Sequence, residues 1–417
     1  MEGNIKYPGS RWLIMFTVFL GHVCTGMMIV AFSPIVEILA EEFGISSGQI
    51  SFYVIGIYIT TSALSIIAFG WMIDRYGAKP LFFIGSLVTL IGALLVPVLT
   101  YSITGIIIMR IIIGVGQGPV VASIATFAAR WFPPNERGLY NGVVGSGIPI
   151  GIASALIIIS LLLDKNNGDW RAAEMALSIA PALAMIMVII MLIFARDSKL
   201  PQIGSAFSVD EGAREFARVL RTPAFYLIAA CMIIYNWSMT IFNTLIPGYI
   251  AISPPVGLGY GPAGAGSYMS LAQLGNVIGA ICAGVILDRI FKGNIKPIVV
   301  GAFFILSLAA LSIRLPSVHE SVAALSISLF IVGFSLAAIM PCLVTFVASN
   351  MPISSVSKVF SISFGISTIV GSLGVSAASA ALHITNSYLW SILMVSLGSL
   401  IGVIPTVFLN RSKKSPI

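Results

Sequence analysis

Gly70-Trp71-Met72-Ile73-Asp74-Arg75-Tyr76-Gly77-Ala78-Lys79-Pro80 closes the second long apolar run of the chain, and Gly284-Val285-Ile286-Leu287-Asp288-Arg289-Ile290-Phe291-Lys292, followed by Lys296-Pro297, closes the eighth. Glycine, aspartate and arginine recur at one spacing, with the aspartates at 74 and 288. A single match of this kind is weak. Two matches, at equivalent points of two arrays of six apolar runs, indicate an internal duplication.

The composition around these loops sets the class. Of 417 residues, 58% are hydrophobic and 9% charged, where a soluble domain carries about 25% charged residues. Water could not solvate such a surface, which excludes a soluble enzyme, a disordered chain and a disulfide scaffold and leaves a polytopic membrane protein. Cys24, Cys231, Cys282 and Cys342 sit far apart inside apolar runs with no CxxC and no Cys/His cluster, so neither a metal nor a redox cofactor is expected. Glu2 lies in the short polar lead, and the first apolar run is too long for a signal-peptide core, so no cleavable signal is expected.

A hydrocarbon core needs about 20 apolar residues per helix. A window of that size finds twelve spans, at 12–36, 49–71, 81–101, 103–128, 139–163, 172–195, 223–250, 264–287, 297–315, 320–348, 359–383 and 387–409. The short alternating segments of a barrel are missing. With the N-terminus placed in the cytoplasm, nearly all of the 22 Lys and Arg fall on that side. Lys165, Arg171 and Arg314 fall opposite, and Arg110 falls inside a span. The charge bias therefore predicts that both termini are cytoplasmic. The expected organisation is a six-helix bundle over 1–195, a cytoplasmic linker over 196–222 and a second six-helix bundle over 223–417. Within the linker, Val209 to Leu220 mixes charged and apolar positions, and reads either as a short amphipathic helix on the membrane surface or as a solvated connection.

The two quoted loops resemble the signature of the major facilitator superfamily, G-x-x-x-D-R/K-x-G-R/K-R/K, matched at Gly70, Asp74, Arg75, Gly77 and Lys79, with Ala78 departing from it. The resemblance covers essentially the whole chain. It implies an all-α membrane protein of twelve helices in two pseudo-symmetric bundles, whose spans one, four, seven and ten line a central cavity. It also implies secondary transport by alternating access, with no catalysis. Asp74, Arg75, Gly77, Lys79, Arg130, Asp288 and Arg289 are the gating residues it implies, the aspartate latching onto the start of span eleven. Physics asks for the same thing independently. Asp74 ends a helix, where the macrodipole disfavours an anion, so it needs a positive partner such as a neighbouring helix N-terminus or Arg130.

Charges within spans are costly and usually functional. Glu37, Glu174 and Glu320 all read as lying near helix ends, which leaves His22, about 15 Å past Trp12, and Arg110, about 10 Å into span four. A buried guanidinium lacking a carboxylate suits an anionic substrate held by bidentate bonds. Bonding to helix carbonyls is the structural alternative. His22 could orient the substrate or carry a proton. Gln117, Tyr235 and Asn236 complete the expected substrate pocket; span seven also offers Trp237 and Asn243, and Gln273 and Asn276 on span eight are a weaker pair. Gly114-Val115-Gly116-Gln117-Gly118 lacks the preceding strand of a nucleotide loop and reads as close helix packing.

Arg130-Trp131-Phe132-Pro133-Pro134-Asn135-Glu136-Arg137-Gly138 and Leu220-Arg221-Thr222-Pro223-Ala224-Phe225 resemble the oxalate/formate and monocarboxylate branch. That branch carries a span-eight arginine where Ala280 stands here. In the organic-anion branch, a proton-exchanging glutamate often matches Gln117. The expected activity is secondary transport of a small organic or inorganic anion such as a carboxylate, driven by a coupling proton or counter-substrate. No cofactor, metal or nucleic acid is expected, and the carrier is expected to work as a monomer in a cell membrane. The alternative is a proton-coupled efflux antiporter for drugs or lipophilic metabolites, which Gly145-Ser146-Gly147-Ile148-Pro149-Ile150-Gly151 resembles, though no membrane acid accompanies it.

Overall fold

The computed structural model describes residues 7–165, 169–195 and 209–409. Lys6, Arg196, Lys199, Arg411, Lys413 and Lys414, which entered the charge count, lie outside them. Among the described residues, ten helical stretches are long and apolar enough to cross a bilayer: Arg11–Phe43, Gly48–Tyr76, Ile103–Trp131, Arg137–Leu163, Trp170–Phe194, Pro223–Ala251, Gly264–Arg289, Val322–Asn350, Ile353–Thr385 and Leu389–Phe408. Two shorter apolar helices, Ala78–Leu94 and Lys296–Ser312, fill the third and ninth places, giving the twelve expected spans in order. Large side chains such as Leu161, Phe194, Leu308 and Ile404 are exposed along them, as a surface in contact with lipid requires. A further helix, Val209–Val219, lies between the sixth and seventh spans.

The described chain forms two compact units. Unit 1 comprises 1–133, 147–212 and 352–362; unit 2 comprises 134–146, 213–351 and 363–417. In unit 1 the second and third spans pack along the fourth, and the sixth packs on the third and the first. In unit 2 the eighth and ninth pack along the tenth, and the twelfth on the ninth and the seventh. Adding six to each member of the first set gives the second. The duplication seen in two loops therefore extends to the packing.

Small residues make these contacts close, as membrane helices require in the absence of a hydrophobic driving force. Along the fourth span, a Cβ on Gly114 would lie 3.0 Å from the Tyr58 carbonyl oxygen, and one on Gly116 would lie 2.7 Å from the Thr89 backbone nitrogen. Gly118 meets Ser65. The glycine run is packing surface on two sides of one helix.

The first two spans of unit 1 each depart from a regular α-helix. The first is broken: its α-helix runs Arg11–Val30, a 3-10 turn covers Ser33–Ile35, and Val36–Phe43 resumes. The second contains a π-helical turn, Phe52–Gly56. Each departure releases carbonyl oxygens that a continuous α-helix would satisfy.

Candidate functional site

Arg110 fills the need those breaks create. It is fully buried on the fourth span. Its Nε donates to the carbonyl of Val54, inside the π-turn. Its Nη1 donates to the carbonyl of Met28, 2.8 Å away in the last turn of the first helix. The guanidinium lies 4.3 Å from the Tyr58 ring centroid and 5.4 Å from that of Phe32, close enough for a cation–π contribution. The bidentate grip on a carboxylate expected from the sequence is not open, because two of the three nitrogens are committed to main chain. Nη2 alone is buried without a hydrogen-bond partner.

The other candidates of unit 1 are also buried. His22 Nδ1 lies 2.9 Å from the Val18 carbonyl; since a carbonyl only accepts, Nδ1 carries the hydrogen and Nε2 is left unpartnered. Gln117 Oε1 accepts from Thr25 at 2.5 Å, and its Nε2 donates to Thr89 at 3.2 Å, tying spans one, three and four. Among the described residues, no hydrogen bond joins any two of Arg110, His22 and Gln117. In unit 2, Asn236 donates to Ser367 at 2.7 Å, linking spans seven and eleven, and the Tyr235 hydroxyl turns back to Met239 Sδ at 2.9 Å. Asn276 donates to Gln273 at 3.2 Å and Gln273 to Asn243 at 2.8 Å, a chain of side-chain hydrogen bonds across spans eight and seven.

One buried acid was missed. Glu174 reads in sequence as close to a helix end, yet it is 5% exposed and packed inward. Asp169 caps its helix, accepting from the Arg171 and Ala172 backbone nitrogens at 3.0 and 3.2 Å. That start places Trp170, Ala173, Glu174 and Leu177 on one buried face. The i, i+3, i+4, i+7 stripe was the available signal.

The two signature aspartates find matching partners. Asp74 accepts from the backbone nitrogens of Ser357 (3.3 Å) and Lys358 (3.2 Å), at the start of the eleventh span, with Lys358 Nζ 3.9 Å away. Asp288 accepts from those of Gly138 (3.0 Å) and Leu139 (2.7 Å), at the start of the fifth. Each carboxylate answers the positive end of a helix dipole. Gly70 and Gly284, one turn earlier, let the same helices approach: Gly70 meets Ser361, and Gly284 meets the Gly138 carbonyl. Gly77 turns the chain at φ +90 after Asp74. Lys79 is buried, bonded to the Ala195 carbonyl and 4.5 Å from the Trp131 ring centroid. Arg75 and Arg289 are exposed, and the exposed Arg130 adds positive charge near Asp74. Replacing Asp74 by asparagine keeps the shape but removes the charge facing the dipole and Lys358. It is expected to cost about 1 kcal/mol, read as a lower unfolding midpoint of the detergent-purified protein; an unchanged midpoint would remove the clamp's electrostatic account.

The Major Facilitator Superfamily profile matches residues 18–375. The chain belongs to this superfamily. It is a multi-pass integral membrane transporter, not an enzyme. Among curated proteins it is similar to a probable sulfoacetate transporter of Cupriavidus necator, 22% identical over 71% of this chain and 69% of that protein. It is also similar to a sialic acid transporter of Escherichia coli, 24% identical over 69% and 67%. A hexuronate transporter of Bacillus subtilis is 26% identical over 42% of each chain. Among solved structures, a proton:xylose symporter superposes with TM-score 0.76 over 97% of this chain and 96% of that one, at 13% identity. The human organic anion transporter MFSD10 superposes with TM-score 0.71 over 97% and 100%, at 16% identity. At these identities the likeness shows the fold.

Proposed function

We propose that this transporter carries a small organic anion by alternating access, with Arg110 as the fixed positive charge that selects for it. The observation that carries the reading is a wholly buried guanidinium with one N–H edge unspent and no salt bridge among the described residues. An interior positive charge that no carboxylate closes on in a salt bridge favours a negative solute. The sulfoacetate, hexuronate and sialic acid carriers it resembles are named for solutes of that sign. These names do not favour the efflux-antiporter alternative.

His22, Gln117, Tyr235 and Asn236 shape the path, and the Asp74 and Asp288 clamps must open during transport. Both lie on the side of the expected cytoplasmic loops, with both termini on that side. The halves 1–195 and 223–417 rock as two bundles joined through 196–222, within one monomer.

The test is uptake into proteoliposomes of labelled glucuronate, sulfoacetate and N-acetylneuraminate, against the lipophilic cation tetraphenylphosphonium. Saturable uptake of at least one anion, and none of the cation, is expected. Transport of the cation alone would overturn the proposal.

A further inference from the structure

Anion transport leaves one pairing unused. Arg110 and Glu174 line the same small cavity, together with Met28, Phe32, Ala93 and Val96. Its volume is about 10 Å³, the room one water needs. Arg110 Nη2 and Glu174 Oε1 are each buried without a hydrogen-bond partner. Among the described residues no salt bridge joins the two side chains. A guanidinium and a carboxyl group thus face one space from the fourth and sixth spans without closing on each other.

We propose that Glu174 binds the coupling proton of this transporter, and that Arg110 is a counter-charge shared between Glu174 and the transported anion. This rests on the anion reading above. Arginine stays protonated in proteins, and carbonyls of the first and second spans hold this one in place. With Glu174 ionised, the pair is neutral overall. When the carboxylate takes a proton, an O–H bond forms and the guanidinium is left as an uncompensated buried charge, which is costly. An anion entering the carrier supplies the missing negative charge. Proton and anion therefore each favour the binding of the other, and the linkage is reciprocal. On release the O–H bond breaks, the carboxylate neutralises Arg110 again, and a monoanion has crossed with one proton and no net charge.

The surroundings suit a proton better than a metal cation, because the guanidinium repels cations from a space of one water. On the other packed elements, the titratable group beside Arg110 is Tyr58 on the second span, and beside Tyr58 lies Cys24 on the first. Arg171, away from the buried face of the Glu174 helix, is ion-paired with Glu42, and the buried Trp170 donates its Nε1–H to the same carboxylate at 2.9 Å. Arg171 is thereby occupied, leaving Arg110 as the cation that faces the cavity. The glutamate-to-glutamine difference at 117 removes one ionisable group from the fourth span; Glu174 places one on the sixth.

The experiment uses the full chain in proteoliposomes with labelled glucuronate, or with whichever of the three anions the wild type exchanges at equal pH. An inward gradient of about one pH unit is expected to raise steady-state accumulation of a monoanion about tenfold, one proton per anion. A sodium gradient should do nothing. Glu174→Gln should lose the response to pH while keeping exchange at equal pH, and Glu174→Asp should keep both. Wild-type exchange without any response to pH overturns this proposal and leaves the anion reading standing. So does a Glu174→Gln variant that still accumulates. Absence of exchange for every anion defeats the anion reading itself. If Glu174→Gln fails to reach the membrane, the wild-type gradient and Glu174→Asp decide; an aspartate variant that exchanges but ignores pH counts against the proposal.

Discussion

Replacing Arg110 by methionine is expected to abolish anion uptake and to destabilise the protein by about 3–5 kcal/mol, the cost of breaking a buried charge arrangement from one side. Three losses combine. The carbonyls of Val54 and Met28, both buried residues, lose their donors. The cation–π contacts to Tyr58 and Phe32 disappear. Glu174 keeps its burial but loses the cation that faces its cavity. Lysine should not rescue, since one ammonium cannot reproduce a planar fork that reaches carbonyls on two different spans. Adding Glu174→Gln to Arg110→Met should recover about 1–3 kcal/mol, because the two charges are coupled. Denaturant unfolding in micelles, with uptake measured in parallel, checks both. Full additivity of the two substitutions would show that the charges do not sense one another. Normal uptake by Arg110→Met would remove Arg110 from selection.

Hydropathy and loop chemistry made the architecture readable. Twelve apolar runs can only be helices, and the repeated Gly-x-x-x-Asp-Arg could be read twice over. The clamp on Asp74 was also foreseeable from a single fact, that an acid at a helix C-terminus needs a positive partner. What escaped depends on backbone irregularity and on facing. Nothing in the hydropathy of Phe52–Gly56 announces a π-turn, nor does the stretch after Val30 announce a break. Without them the hydrogen-bond demands on Arg110 are invisible, and a bidentate site looks free. Glu174 escaped for a different reason. Distance along the helix placed it near the surface, whereas its position on the Trp170–Leu177 stripe turns it inward. Lys79 shows the same limit: a loop cation by sequence, it caps the chain at Ala195 and stacks near Trp131. Type and spacing identify which residues are unusual; the partner is decided by helix phase.

Gly284→Leu is expected to be the most damaging change at the second clamp. A Cβ there would strike the Gly138 carbonyl and lie 3.3 Å from the Gly142 Cα. Both contacts are backbone, which cannot rotate away. The start of the fifth span and the end of the eighth would have to separate. Asp288 would then lose the two N–H groups it holds at 3.0 and 2.7 Å. Overpacking costs about 1–3 kcal/mol, and each lost charge-assisted bond adds about 1.5 kcal/mol or more, so a total on the order of 4 kcal/mol follows. Gly301→Leu is the matched control, since nothing lies within 4 Å of a Cβ at that position. It should leave the unfolding midpoint within about 0.5 kcal/mol of wild type. Transport by Gly284→Leu should fall more than about tenfold, since 1.4 kcal/mol already gives that factor, while Gly301→Leu transports normally. Asp288→Asn should fall between the two, keeping the helix spacing and losing only charge. Equal midpoints for the two leucine variants would mean that the close approach at Gly284 is not what holds these helices together, and the signature glycine would then need another explanation.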